Sequence, residues 1–234
     1  MNATTAYGIL VFIHVAFGSV ALLTFWAAAI ARKGSPFHKA VGKGYLIGML
    51  GIVSTAVPMA IIFLARGRTG TGVFFAYLVV ITGTSMWLSW RAIKRKQQIH
   101  AYFDRRYQLV AWANLLAGVV VFAIGIALGS ALLSTFCWIG IVLGINMLRQ
   151  LRKLPTARNW WLHEHYSAML GNGVATHVAF LGIGMGSFLN SFGIAWLQLL
   201  PWLGPVAVAL VAGRMLNRRY APKPSRQPVV AASV

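Results

Sequence analysis

Six histidines and two acids, Asp104 and Glu164, carry most of the acid–base and metal-ligating chemistry open to this 234-residue chain. Four histidines, His38, His100, His163 and His165, lie in the polar segments that also hold both acids. His100 and Asp104 are four apart, so on a helix they would face the same way. His163-Glu164-His165 is a consecutive triplet whose members diverge around a helix, so all three cannot serve one centre. Imidazole beside carboxylate suits zinc or another divalent metal, or general acid–base work. The candidate set is therefore His38, His100, Asp104, Glu164 and His165. The plainer alternative is that Asp104 pairs with Arg105, Arg106 or other nearby bases.

A second arrangement uses the two histidines inside apolar runs, His14 and His177. His163 and His177 are two heptads apart, near one helix face and about 21 Å apart along it. That spacing resembles four-helix cytochromes b, in which one helix gives a ligand to each of two stacked haems. His14 would then face His177 across a haem b, with His38 or His100 opposite His163. Ionisable residues within a span are functional candidates by default. The depths match poorly, however. His14 lies about 10 Å from the outer end of its helix, His177 about 19 Å from Asn190. Two neutral histidines hydrogen-bonding across packed helices is the alternative. Cys137 is the single cysteine and offers neither a disulfide nor a cysteine metal site.

The elements that must position these groups follow from composition. The chain is 59% hydrophobic and only 10% charged, with 21 Lys and Arg against 2 acids. Its mean hydropathy is +0.72. Soluble domains run about 45–50% apolar and about 25% charged. An ordinary soluble domain and a disordered polycation are both excluded, and nucleic-acid binding leaves the apolar excess unexplained. The class is an all-α polytopic membrane protein with seven transmembrane helices. Crossings of roughly 20 residues fit 7–31, 44–65, 72–92, 107–128, 131–149, 166–190 and 194–216. The connections are too short for a soluble domain, so residues 1–219 form one membrane domain. Tyr107–Leu148 lacks any charge. As one helix it would be about 63 Å long, so it folds back, and Gly129-Ser130 is the turn signal. Pro58, Pro201 and Pro205 predict kinks within spans.

Charge placement orients the bundle. All 21 bases except Arg66 and Arg68 fall at one end or in the carboxyl-terminal tail. The positive-inside rule reads that end as cytoplasmic, with the amino terminus outside and the carboxyl terminus inside. The first segment reads as a retained span rather than a cleaved signal. Residues 220–234 read as a disordered tail whose bases meet anionic lipid headgroups. Ser35 and Pro36 are a helix cap and first helical residue, which puts His38, Gly42, Tyr45 and Met49 on one face. Small residues at four-residue spacing, Gly44 with Gly48 and Gly171 with Ala175 and Ala179, predict close helix packing. The expected partners are the bilayer, anionic headgroups on the cytoplasmic face and, as an open option, a second copy of the chain; nucleic acid is not among them.

Arg32-Lys33-Gly34, His38-Lys39, Gly42 and Tyr45 resemble the RKG-x-x-x-H-[KR]-x-x-G-x-x-Y signature of a small bacterial multi-span family of unknown function. Later parts of that family's pattern are matched in order by Trp161-Leu162 with His165, Met169-Leu170-Gly171, Ala179-Phe180-Leu181, and Trp196-Leu197 with Pro201. Val174 and Val178 depart from the pattern. The resemblance implies a multi-pass protein of the bacterial inner membrane, supplies no activity, and carries over His38 and His165. Seven spans and a cytoplasmic His/Asp site also resemble the ceramidase and adiponectin-receptor zinc hydrolases. Their late-helix HxxxH is missing here, and the outside amino terminus departs from the receptor pattern.

Overall fold

The computed structural model describes residues 3–184, 186, 188, 191–193 and 200–220. The start of the last predicted span, the Trp196-Leu197 pair, part of 166–190 and the tail 221–234 lie outside the described residues. Among the described residues the regular elements are all helices: α1 Ala3–Ile30, α2 Pro36–Ala65, α3 Thr69–Lys94, α4 Ile99–Tyr102, α5 Arg105–Ala127, α6 Ala131–Arg152, α7 Trp160–Val178, a π-helical turn Ala179–Gly184, and α8 Leu200–Tyr220. Six of them, α1, α2, α3, α5, α6 and α8, are long and apolar enough to cross a bilayer. The chain is a helical, multi-pass membrane protein. α7 is not among the six. It begins at Trp160, ahead of the predicted 166, and His163, Glu164, His165, Asn172, Thr176 and His177 interrupt its apolar runs.

Local chemistry sets the helix boundaries. The Ser35 hydroxyl accepts the His38 N–H at 3.1 Å, and Pro36 opens α2 as the sequence predicts. Pro58 lies within the unbroken α2. Gly67 and Gly129 take left-handed backbone, φ 72° and 60°, which glycine adopts without steric cost. At each, the next N–H reaches back to the helix: Arg68 to the Phe63 carbonyl at 2.9 Å, Ser130 to Gly125 at 2.8 Å. These Schellman closures turn the chain within two or three residues. Ser130 then caps α6 by accepting from the Leu133 N–H. The turn predicted at Gly129-Ser130 is therefore present.

α3 is the central helix, packed against α2, α5, α6 and α7, while α7 also meets α1 and α8. Burial of apolar surface gives little drive between helices in lipid, so close backbone approach matters more. α5 and α6 achieve it through glycine. A Cβ at Gly144 would lie 2.8 Å from the Ala111 carbonyl oxygen, and one at Gly140 would lie 2.9 Å from that of Asn114. The Tyr77 hydroxyl of α3 enters the α6 backbone. It accepts the Gly140 N–H at 2.7 Å and donates to the Phe136 and Cys137 carbonyls, each at 3.0 Å. Phe12, Leu23 and Ile30 are 74, 72 and 81% exposed, an outer surface suited to lipid.

Gly144→Leu is expected to cost about 1–3 kcal/mol by overpacking, lowering the melting temperature in detergent. Gly83→Ala, where a Cβ meets nothing within 4 Å, should leave it unchanged. Equal effects at both positions would remove the close-approach account.

Candidate functional site

The polar groups gather at the basic end of the bundle, where α3 and α6 terminate. The last turn of α3 buries Arg91, which is 8% exposed. Its guanidinium meets Asp104 at 2.8 Å, donates to the Ala101 carbonyl, and lies over the Trp87 ring at 4.6 Å. Asp104 also caps α5 by accepting the Tyr107 N–H at 3.0 Å. Burial alone would raise the Asp104 carboxyl, but the Arg91 guanidinium and the Tyr107 N–H outweigh it and hold the group below its usual range. His100 and Asp104 do not share a helix. α4 ends at Tyr102, and Asp104 is extended backbone at φ −93°, ψ −173°, so the four-residue spacing has no helical meaning here.

Glu164 is buried behind this pair. It accepts from the Tyr102 hydroxyl at 3.1 Å and from Gln150 Nε2 at 2.8 Å, while the Tyr107 hydroxyl donates to Gln150 Oε1 at 2.5 Å. Burial, then the nearby Glu164, push the Tyr102 hydroxyl up, so it remains a donor. Trp160 packs on Tyr102 with ring centroids 4.9 Å apart. Both acids thus bridge helices: Asp104 ties α3 to the start of α5, and Glu164 ties α7 to α4 and α6.

His38 and His165 form a different grouping. The His38 Nδ1–H donates to the Ala28 carbonyl at 3.0 Å, an oxygen that also accepts from the Lys33 ammonium at 2.9 Å. The His165 Nδ1–H donates to the Ser89 carbonyl at 2.9 Å. A carbonyl only accepts, so both rings carry the Nδ1 proton and keep the Nε2 lone pair free. Neither Nε2 has a hydrogen-bond partner among the described residues. Burial first, and then the Lys33 ammonium, lower the His165 imidazole from its usual value. His38 lies in the first turn of α2 and His165 in the second turn of α7. The HEH triplet diverges as expected: His163, its side chain 45% exposed, is 3.7 Å from Glu164, and His165 points to α3. His100 is exposed.

The two histidines in apolar runs lie at different levels, His14 on α1 and His177 on α7 against the later part of α1. His14 Nδ1 is 2.7 Å from the Thr55 hydroxyl, which itself donates to the Gly51 carbonyl. His177 donates from Nδ1 to the Gly173 carbonyl at 2.7 Å and accepts the Trp26 indole N–H on Nε2 at 3.0 Å. Both His177 nitrogens are therefore occupied. Its Trp26 partner is twelve residues from His14, about 18 Å along α1. The structure does not bring His14 and His177 together. Nor do three or more His, Cys, Asp or Glu side chains converge on a metal-sized point among the described residues.

No family model, curated protein or solved structure matches the chain. Sequence reasoning missed the groups that engage the polar set: Arg91 as a buried partner, Tyr102, Tyr107, Gln150 and the Ser89 carbonyl. Only the aromatic run Tyr102-Phe103 beside Asp104 was a local signal, because the other partners come from distant helices.

Asp104→Ala should cost about 2 kcal/mol in thermal or denaturant melts. About 1 is the lost cap. The rest, reduced by partial exposure of Asp104, is a buried guanidinium without its counter-charge. Adding Arg91→Met should recover the second part, giving a double variant milder than the sum of the singles. Asp104→Asn keeps a capping side chain. Because the folded carboxyl is depressed, its stabilisation is present above the unfolded value and lost as pH falls through the folded one. Wild type should therefore lose stability faster than Asp104→Asn below about pH 4.

Proposed function

We propose that the chain is a seven-span protein of the bacterial inner membrane, amino terminus outside, with an acid–base site formed by His38 and His165 at its cytoplasmic end. α7 from about 166, with the π turn that ends at Gly184, supplies the additional crossing. The single observation that supports the site is the matched tautomer: two imidazoles, each with Nδ1–H on a main-chain carbonyl and Nε2 left without a partner. A poised base needs a lowered imidazole that remains neutral near pH 7, and His165 has the burial and the nearby Lys33 ammonium for it. Asp104 and Glu164 support this reading from outside, since their bonds hold α3, α4 and α7 in register around His165. The same Nδ1–H to carbonyl bond commonly orients metal-ligating histidines. A metal held by the two Nε2 atoms, with solvent completing its shell, is therefore the second reading.

Proton titration of the two rings, by NMR on ring-labelled protein in detergent, should place His165 below 6.5 and shift it upward in Lys33→Gln. Values indistinguishable from free imidazole would end the acid–base reading. A one-to-one Zn²⁺ titration abolished by either His38→Ala or His165→Ala would move the assignment to the metal.

The sign for stability follows. The unfolded imidazole takes up a proton before the folded one does, so stability should fall as pH drops below about 6.5. His165→Gln should flatten that slope. Orientation is checked separately by single cysteines on a Cys137→Ser background. Labels near Lys39 and Lys153 should be protected from an impermeant reagent in whole cells, and one near Arg68 should react.

A further inference from the structure

A cleft of about 560 Å³ opens between the α3–α4 connection and the segment leading into α7, lined by Lys96, Gln97, Thr156, Arg158, Trp160 and Trp161 among others. We propose that it binds the phosphodiester of an anionic phospholipid headgroup, in a site distinct from His38 and His165. It is an open cleft rather than an enclosed pocket, as suits a headgroup whose acyl chains stay in the bilayer. The lining offers Lys96, the Arg158 guanidinium, the Thr156 hydroxyl and the Gln97 amide as donors, with no carboxylate beside them. The chain's two acids are engaged elsewhere, Asp104 with Arg91 and Glu164 with Tyr102 and Gln150. The two cations therefore face the cleft without an internal counter-ion. A guanidinium and an ammonium around one phosphate oxygen pair form charge-assisted hydrogen bonds, the strongest polar contacts available there.

The walls point to a lipid rather than a soluble anion. Trp160 is buried in the aromatic cluster with Tyr102 and Phe103, which makes it a rigid side. Trp161 is half-buried and carries the Lys96 ammonium over its ring at 5.9 Å. Indoles beside cations are the usual furniture of a membrane interface. The cleft lies where α3 and α6 end, at the level where helices leave the hydrocarbon. Trp90 and Ile93, near the end of α3, are also exposed and add apolar surface close to the end of that helix.

The proposal rests on the membrane reading, which is checked first: the chain should remain in the pellet after alkaline carbonate extraction. Protein purified in mild detergent is then equilibrated with equal phosphatidylglycerol and phosphatidylcholine, and bound lipid is counted by native mass spectrometry. Wild type should retain one phosphatidylglycerol with on the order of tenfold preference, the size of a lost charge-assisted contact. The Lys96→Gln/Arg158→Gln double variant should lose that preference. The Arg152→Gln/Lys153→Gln double variant, which removes the same charge outside the cleft, should keep it. Equal loss in both pairs, or no preference in wild type, overturns the site while leaving the membrane reading intact. Displacement of the lipid by millimolar inorganic phosphate would make it a free-anion site and also overturn the proposal. A melting temperature for each variant within a few degrees of wild type secures the comparison.

Discussion

One buried guanidinium organises the basic end of this bundle. A charge removed from water must be paired and hydrogen-bonded or it is strongly destabilising. Arg91 meets that requirement through Asp104, the Ala101 carbonyl and the Trp87 ring. Two of those partners lie beyond α3, in the segment that joins it to α5. Ala101 lies in the four-residue α4, too short to be stable alone, and Asp104 starts α5. Once α4 is fixed, Tyr102 is in place to donate to Glu164, and Glu164 in turn seats α7. His165 reaches the Ser89 carbonyl because α7 is seated there. The polar site at this end therefore depends on a pair that does not touch it.

The spacing of the transmembrane helices depends on a different constraint. Without water to drive apolar surfaces together, the α5–α6 pair uses glycine to bring backbones within contact of each other, and α2 does the same against α1 at Gly48. Apart from the buried Asn114 Oδ1, several polar side chains in this interior find partners in one another or in main-chain groups. Tyr45 meets Thr176 at 3.0 Å, Asn114 donates to Thr84 at 2.7 Å, and His14 meets Thr55. The first of these bonds ties α2 to α7 and the second α3 to α5, helices not consecutive in the chain, while the third joins the consecutive α1 and α2.

The membrane class, six of the crossings and the Ser35-Pro36 and Gly129-Ser130 boundaries were legible because each is a local property: apolar length, a capping side chain, a left-handed glycine. The placement of His38, Tyr45 and Met49 on one face was legible for the same reason, since helical period alone determines it. The extra crossing was not settled by the same means, because α7 mixes apolar residues with a row of polar ones that find partners on α1, α2, α3 and α6. His100 and Asp104 misled because helical spacing was read across a break at Phe103. The partners of both acids and of His177 were hidden. Arg91, Gln150 and Trp26 meet them only through folding, and nothing in a linear pattern distinguishes Arg91 from the exposed bases beside it.

The phenol of Tyr77 has a consequence for biogenesis. It stands in the α6 backbone ladder, receiving the Gly140 N–H and returning a bond to the carbonyls of Phe136 and Cys137. α3 precedes α6 in the chain, so the phenol is made before the helix it bonds. The α6 backbone gains these bonds only when the later α5–α6 hairpin packs against α3, and the hydroxyl therefore favours that packed arrangement over a hairpin standing apart.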